Sequence, residues 1–348
     1  MIEFGSDFHR CDMDYRISSN FFNYIENIRF YACGRHAIDA IVSQERWKRM
    51  WIPAYFCYEV IHHIKRTGID IRLYDDNPLR EDDDILVRSL AYEEGDVLLR
   101  MNYFGLRHKR TNAGIPVPVI EDHSHDMFSD WALNSDADWC MASARKSLPV
   151  AIGGVLWSPL KKGLPLQIEV TDSCDRLAGI RYDAMRMKSD YLRMNGDKGN
   201  KNIFRKKYIQ SEEMLDQLSL SGMDKVSKEI VLTIDLKRWT DQRLNNWLAA
   251  VRILNKDFVV LKSLRDNWQP FSLVFLCKSI AERIALRLYL IDHCIYPAIL
   301  WEIPGDTLFA NAIDFSQRML SIPCDARYDR QQIEDMCSII NKFYDKDL

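Results

Sequence analysis

Short apolar runs alternating with helical periodicity fill the first half of the chain, and this alternation most constrains its fold. Residues 51–54, 70–74, 96–102, 117–121, 137–142 and 154–157 read as strands. Between the early ones, Ala37, Ile38, Ile41 and Val42 recur at helical spacing behind Gly34, and a second helix spans 57–67 and closes at Gly68. Strands separated by helices are βαβ units, which imply a mostly parallel sheet with helices on both faces. From about 171 the pattern changes. The segment 175–220 is charged and helical, broken at 196–202 by a glycine–lysine–asparagine stretch that reads as a mobile loop. Leu244, Trp247, Leu248, Val251 and Leu254 mark a helix with one apolar stripe. A strand at 271–276, a helix over 280–291, short strands at 295–300 and 319–322 and a closing helix near 333–340 complete the chain. The expected architecture is α/β: a large domain over 1–230, with its sheet between helices, and a smaller α+β domain over 231–348.

Composition narrows the function classes. With 348 residues, 47% of them apolar, the chain has material for a large core and no disordered composition. A net charge of −3 without a basic stripe argues against a nucleic-acid partner. Nine cysteines, scattered singly with no C-x-x-C pair, indicate neither a disulfide framework nor a zinc knuckle, and suit a reducing cytoplasm. The first residues lack the basic and apolar regions of a signal peptide, and no apolar run reaches the roughly 18–20 residues that cross a bilayer. The expectation is a cytoplasmic protein that does not engage a membrane.

Two segments carry the chemistry. The run Ile120-Glu-Asp-His-Ser-His125 follows a strand, and Ser143-Ala-Arg-Lys146 precedes the pair Gly153-Gly154. Strand ends are where α/β sheets place ligands. An ordinary lysine is protonated at neutral pH, but burial beside a cation such as Arg145 frees the amine to form an imine. A carboxylate at Asp122, if buried, needs a cationic partner. A lysine that forms a Schiff base, downstream of an aspartate able to keep a pyridine nitrogen protonated, is what a pyridoxal-phosphate site requires. Gly34-Arg35 opens a helix whose N–H groups suit a phosphate, and Ser143, Arg35 and Arg145 are further candidates to hold it. Neither G-x-G-x-x-G, G-x-x-x-x-G-K-[ST] nor G-x-S-x-G occurs, so dinucleotide, P-loop and nucleophile-elbow sites are not signalled.

The sequence resembles the DegT/DnrJ/EryC1/StrS family of fold-type-I pyridoxal-phosphate enzymes, the sugar aminotransferases. The pieces that carry the resemblance occur in the family's order: Cys33-Gly-Arg-His-Ala-Ile38, Ile52-Pro-Ala-Tyr-Phe-Cys57, Asn102-Tyr-Phe-Gly105, Ile120–His125, Ser143–Lys146 with Gly153-Gly154, Ile295-Tyr-Pro-Ala-Ile-Leu-Trp301 and Leu320-Ser-Ile-Pro-Cys-Asp325. The resemblance implies the PLP-transferase type I fold, with Lys146 holding pyridoxal 5′-phosphate and shuttling a proton. Asp122 would pair with the ring nitrogen, His125 would lie near the phenolic oxygen, and Gly34, Arg35 and Ser143 would hold the phosphate. Tyr55, Phe56 and Tyr103 all remain candidates to stack on the ring. The family moves an amino group from an amino acid, usually glutamate, to a keto group on a nucleotide-linked sugar, and shares its active sites across a homodimer. Here Gly-Arg replaces the usual Gly-Thr, the serine precedes the lysine by three residues rather than five, and the dimer-crossing segment has no clean counterpart between 190 and 210.

Two other readings compete. One is a cofactor-binding member of the family without turnover, serving a regulatory or structural role. The other is a metal-dependent hydrolase built on His123 and His125. Alternation along a strand puts those histidines on one face and Asp122 with Ser124 on the other, which divides the ligands, so no metal is expected.

Overall fold

The computed structural model describes residues 2–11, 22, 25–194, 196, 198–254 and 269–345. Its strands, in chain order, are β1 (Phe4–Gly5), β2 (Ile28–Tyr31), β3 (Arg49–Pro53), β4 (Asp70–Tyr74), β5 (Asp96–Met101), β6 (Val119–Asp122), β7 (Trp139–Ser143), β8 (Gly154–Trp157), β9 (Leu273–Leu276), β10 (Ile295–Tyr296) and β11 (Met319–Ile322).

Seven of these form one sheet in the order β2-β8-β7-β6-β5-β3-β4. The run β7-β6-β5-β3-β4 is parallel, while β8 lies antiparallel to both β7 and β2. Period-two alternation divides the sheet's side chains between two cores. Leu98, Val119, Cys140, Ala142, Val155 and Trp157 enter one, with Cys174, Leu177 and Ala178 of the helix Asp172–Met194. Val97, Leu99, Ile120, Met141 and Leu156 enter the other, with Ala37, Ile38 and Ile41 of the helix Gly34–Glu45 and Ile61 and Ile64 of the helix Tyr58–Lys65. Helices therefore cover both faces, as the alternation predicts.

The second part of the chain packs around β9 and β11, an antiparallel pair. Leu273, Phe275, Leu320 and Ile322 meet Trp247 of the helix Leu236–Ile253, Leu286 and Leu290 of the helix Ile280–Asp292, and Ile333, Met336 and Ile340 of the helix Arg330–Asp345. Position 230 does not separate the two parts, because it lies inside the helix Lys225–Thr233. Val231, Ile234, Leu236 and Trp239 pack with the large sheet, and only from Trp247 onward does the chain join the second core. The N-terminus crosses the other way: β1 pairs in parallel with β10, and Phe4 enters the second core.

The helical segment after β8 forms two long helices, Asp172–Met194 and Lys198–Gln217. The expected loop over 196–202 shrinks accordingly, since 198–202 are helical; residues 195 and 197 lie outside the described residues. The strand expected over 295–300 is regular at Ile295–Tyr296, and Ala298 adds an isolated antiparallel bridge to Ser321.

Candidate active site

The parallel strands β5, β6 and β7 end side by side at Met101, Asp122 and Ser143. Asp122 shares its sheet face with Ile120, and Ser143 shares the same face with Met141. That face also receives the helix Gly34–Glu45, so its N-terminus arrives at the strand ends. A Cβ built on Gly34 would lie 3.0 Å from Met141 Cε and 3.7 Å from Ser143 Cβ, which shows how closely the helix start abuts the end of β7. Gly154 makes this approach possible: a Cβ there would fall 2.1 Å from Cys33 O, where the chain enters the helix. The N-cap residue Cys33 gives no side-chain cap to the helix, so the first N–H groups keep their capacity for an anion.

These elements enclose a cavity of about 640 Å³. Asp122, Ser124, Ser143, Gly34, Phe56, Lys146 and Trp301 all line it. Asp122 is buried, and one of its oxygens accepts from the Ser124 N–H at 2.8 Å, which fixes the plane of the carboxylate. Lys146 ends a short 3₁₀ turn, Ala144–Lys146, directly after β7. Its Nζ lies 5.2 Å from the Trp301 ring centroid and has no hydrogen-bond or ion-pair partner among the described residues.

Both arginines expected near the helix start face carboxylates of the helix Lys198–Gln217 instead. Arg35 pairs with Asp216 at 2.6 Å, and Arg145 with Glu212 at 2.5 Å. Burial would raise the Glu212 carboxyl, but Arg145 and Arg181 outweigh it and hold it below its ordinary value. What remains for an anion at this end is backbone N–H and the Ser143 hydroxyl.

The two histidines separate. His123 turns to the opposite sheet face, against Trp131 and Trp157, and its Nε2 lies 3.0 Å from Glu121. Glu121, His123 and Cys140 bring three ligand-type atoms within 4.8 Å of one another. Both Glu121 oxygens already accept, from Asn112 at 2.8 Å and Ser135 at 2.6 Å, and burial followed by Glu121 drives the Cys140 thiol well above its ordinary pKa. This cluster holds only one of the two histidines, so it is not the paired-histidine centre of the hydrolase reading.

His125 is fully buried in a stack, with ring centroids 4.4 Å from Phe271, 5.0 Å from Phe104 and 5.2 Å from Trp301. The Phe104 N–H donates to its Nδ1 at 3.3 Å, which leaves the proton on Nε2, an atom without a partner. Burial, then the charge of Lys146, lowers its pKa well below the ordinary value, so the ring is neutral at pH 7. His125 lines no part of the cavity itself; Trp301 stands between.

Among the three aromatic candidates only Phe56 reaches the cavity. Tyr55 and Tyr103 lie behind it in the core, where Tyr55 donates to the Leu300 carbonyl and Tyr103 to the Tyr55 carbonyl at 2.6 Å. Trp301 is the residue that the sequence did not single out. It closes the cavity opposite the sheet from a segment with no regular structure, and its only signal was an aromatic at the end of the 295–301 motif.

Solved structures give the architecture a context. Over 94% of this chain and 90% of the other, the fold superposes on a putative sugar aminotransferase from Streptococcus pneumoniae in its PLP form, with TM-score 0.65 and 13% identity. It also matches PseC of Helicobacter pylori, an aminotransferase involved in the biosynthesis of pseudoaminic acid, over 99% and 100% of the two chains, with TM-score 0.67 and 11% identity. The fold is that of the sugar aminotransferases. A DegT DnrJ EryC1 StrS aminotransferase from Brucella abortus is similar over 94% and 91%, with TM-score 0.63 and 11% identity. No protein-family model matches the sequence, and no curated protein does. No helix among the described residues is long and apolar enough to cross a membrane.

Proposed function

We propose that the chain is a pyridoxal-phosphate-dependent aminotransferase that moves an amino group from an amino acid, glutamate by the family resemblance, to a keto sugar carried on a nucleotide. The observation that carries this reading is the convergence of an unpartnered lysine amine, a buried strand-end carboxylate and an open helix N-terminus on one cavity. The residues fit the cofactor. A cavity of about 640 Å³ is of the size that takes a small cofactor with substrate. The donor set suits one phosphate at Gly34, Arg35 N–H and Ser143, one pyridinium at Asp122 and one aldehyde at Lys146.

When bound there, the cofactor supplies an electron-withdrawing ring that stabilises charge at the substrate carbon. Lys146 Nζ would hold it, and the same amine is the base placed to move a proton at the substrate carbon. Asp122, held in plane by the Ser124 N–H, keeps a proton on the ring nitrogen. Phe56 and Trp301 bound the ring and exclude water. His125 acts as a positioning residue through its stack on Trp301. The resemblance also supports a homodimer with shared sites, a cytoplasmic setting and a place in polysaccharide or secondary-metabolite synthesis.

The test is optical. Protein given pyridoxal phosphate turns yellow, borohydride fixes the label on Lys146, and Lys146→Ala abolishes it together with turnover. A colourless wild type overturns the assignment. A yellow protein whose spectrum responds to no amino donor would replace the transferase by a cofactor-binding protein without turnover.

A further inference from the structure

Lys146 borders a second cavity, of about 350 Å³, which shares Arg145, Lys146 and Ala298 with the first. The N-terminal residues Gly5–Phe8 form one wall, and Phe271 and Ser272, just before β9, form another with Ser321 of β11. Five cationic side chains line it, Arg145, Lys146, Arg181, Arg243 and Arg327, against two carboxylates, Asp7 and Asp325.

The carboxylates are engaged elsewhere. Asp325 holds Arg327 with both oxygens, at 2.7 and 2.8 Å. Asp7 pairs with Arg181 at 2.6 Å, and Glu212, just outside, holds Arg145 and Arg181. Arg243 is left over. It is 2% exposed, and among the described residues it has no ion pair and its Nε no hydrogen-bond partner. Its one bond runs from Nη2 to the Ser147 carbonyl at 2.7 Å. Burial accordingly lowers its pKa, though Asp325 nearby works in the opposite direction. An unpaired buried guanidinium costs free energy unless an anion meets it, and a planar fork suits a carboxylate.

We propose that this second cavity is an anion subsite for a small carboxylic acid, with Arg243 as its recognition residue. The cavity has little more than half the volume of the first, and no α-helix start is among its lining residues, which favours a compact carboxylate over a nucleotide phosphate. Naming that acid as the amino donor, its carboxylate on Arg243 and its amine towards Lys146, rests on the transferase reading. The anion site itself does not.

Calorimetric titration of the full chain with glutarate, an unreactive dicarboxylate, tests it, with and without pyridoxal phosphate. Glutarate is expected to saturate the wild type while its dimethyl ester does not bind. Arg243→Gln is expected to weaken glutarate at least tenfold. Trp239→Phe removes the other donor to the Ser147 carbonyl and keeps Arg243, and is expected to stay within twofold of wild type. Equal binding of the ester, unchanged affinity in Arg243→Gln, or an equal loss in Trp239→Phe would overturn the assignment; the last would mean that Arg243 merely holds the turn behind Lys146. Uridine monophosphate or inorganic phosphate binding more tightly than glutarate at this site would overturn its carboxylate part. The ester comparison needs no variant, so a misfolded Arg243→Gln leaves it standing. A protein that binds glutarate yet stays colourless with pyridoxal phosphate would sink the transferase reading alone.

Discussion

The two cavities that meet at Lys146 are built in opposite ways. The first takes its groups from consecutive strand ends of one sheet and from the helix that follows β2, so backbone topology alone brings Asp122, Ser143 and Gly34 together. The second is assembled from the N-terminal segment, the helix Leu236–Ile253 and the small sheet, which meet only once the chain has closed on itself. A site of the first kind is written in local pattern. One of the second kind is written in long-range packing, and it leaves a different electrostatic signature: a buried cation whose neighbours have other partners.

Substitutions on either side sharpen that contrast. The largest effect is expected from Asp122→Asn, which keeps the shape of the first cavity and removes the charge proposed to hold a proton on the ring. Steady-state turnover should fall by on the order of 10²–10⁴-fold while cofactor still binds, and a near-normal rate would remove Asp122 from its role.

Acid should act on both regions. Burial lowers the pKa of His36 behind the first cavity and of His125 between the two, and takes that of His9, on the N-terminal segment, down to about 4 with help from Arg327 and Lys188. Each folded imidazole binds its proton less readily than the unfolded one does. Stability is therefore complete above the ordinary histidine value of about 6.5 and falls as the pH drops through it, by up to about 1.4 kcal/mol per pH unit for each withheld proton. Thermal unfolding followed from pH 7.5 to 5 should show this slope. His9→Asn and His36→Asn should each flatten it, which apportions the loss between the regions.

Phe56→Leu should weaken cofactor binding by about 3–10-fold, measured by absorbance titration, because only Phe56 of the three aromatic candidates faces the cavity. Tyr103→Phe should leave cofactor affinity unchanged and cost about 1 kcal/mol in chemical denaturation, the worth of its buried hydrogen bond to the Tyr55 carbonyl. Reversed outcomes would exchange the roles of the two rings.

How much the sequence disclosed follows the same division. Strands β4 and β8 and the helix starting at Gly34 have the expected bounds because apolar period and glycine punctuation are local signals. The edge strand β2 went unread: it is four residues long and two of them are only half-buried, so its pattern is weak. The boundary at 230 falls inside the helix Lys225–Thr233, and Val231 and Trp239 beyond it still pack on the large sheet, a long-range contact that no local pattern carries. Asp122 and Lys146 were legible as strand-end groups. The alternation argument correctly divided the ligands of the histidine pair, yet it kept His123 and His125 together, and the chain leaves the strand at Asp122 and turns His125 away. Arg35 looked like a phosphate ligand until Asp216, far along the chain, claimed its guanidinium. Arg243 offered no signal at all, since an arginine inside an amphipathic helix is ordinarily solvated.

The Ser147 carbonyl accepts from Trp239 at 2.9 Å and from Arg243 at 2.7 Å, both on the long helix that leads into the second core. Two struts from a single rod thus grip the peptide next to the reactive amine. Any displacement of that rod is therefore passed on to the turn that carries Lys146.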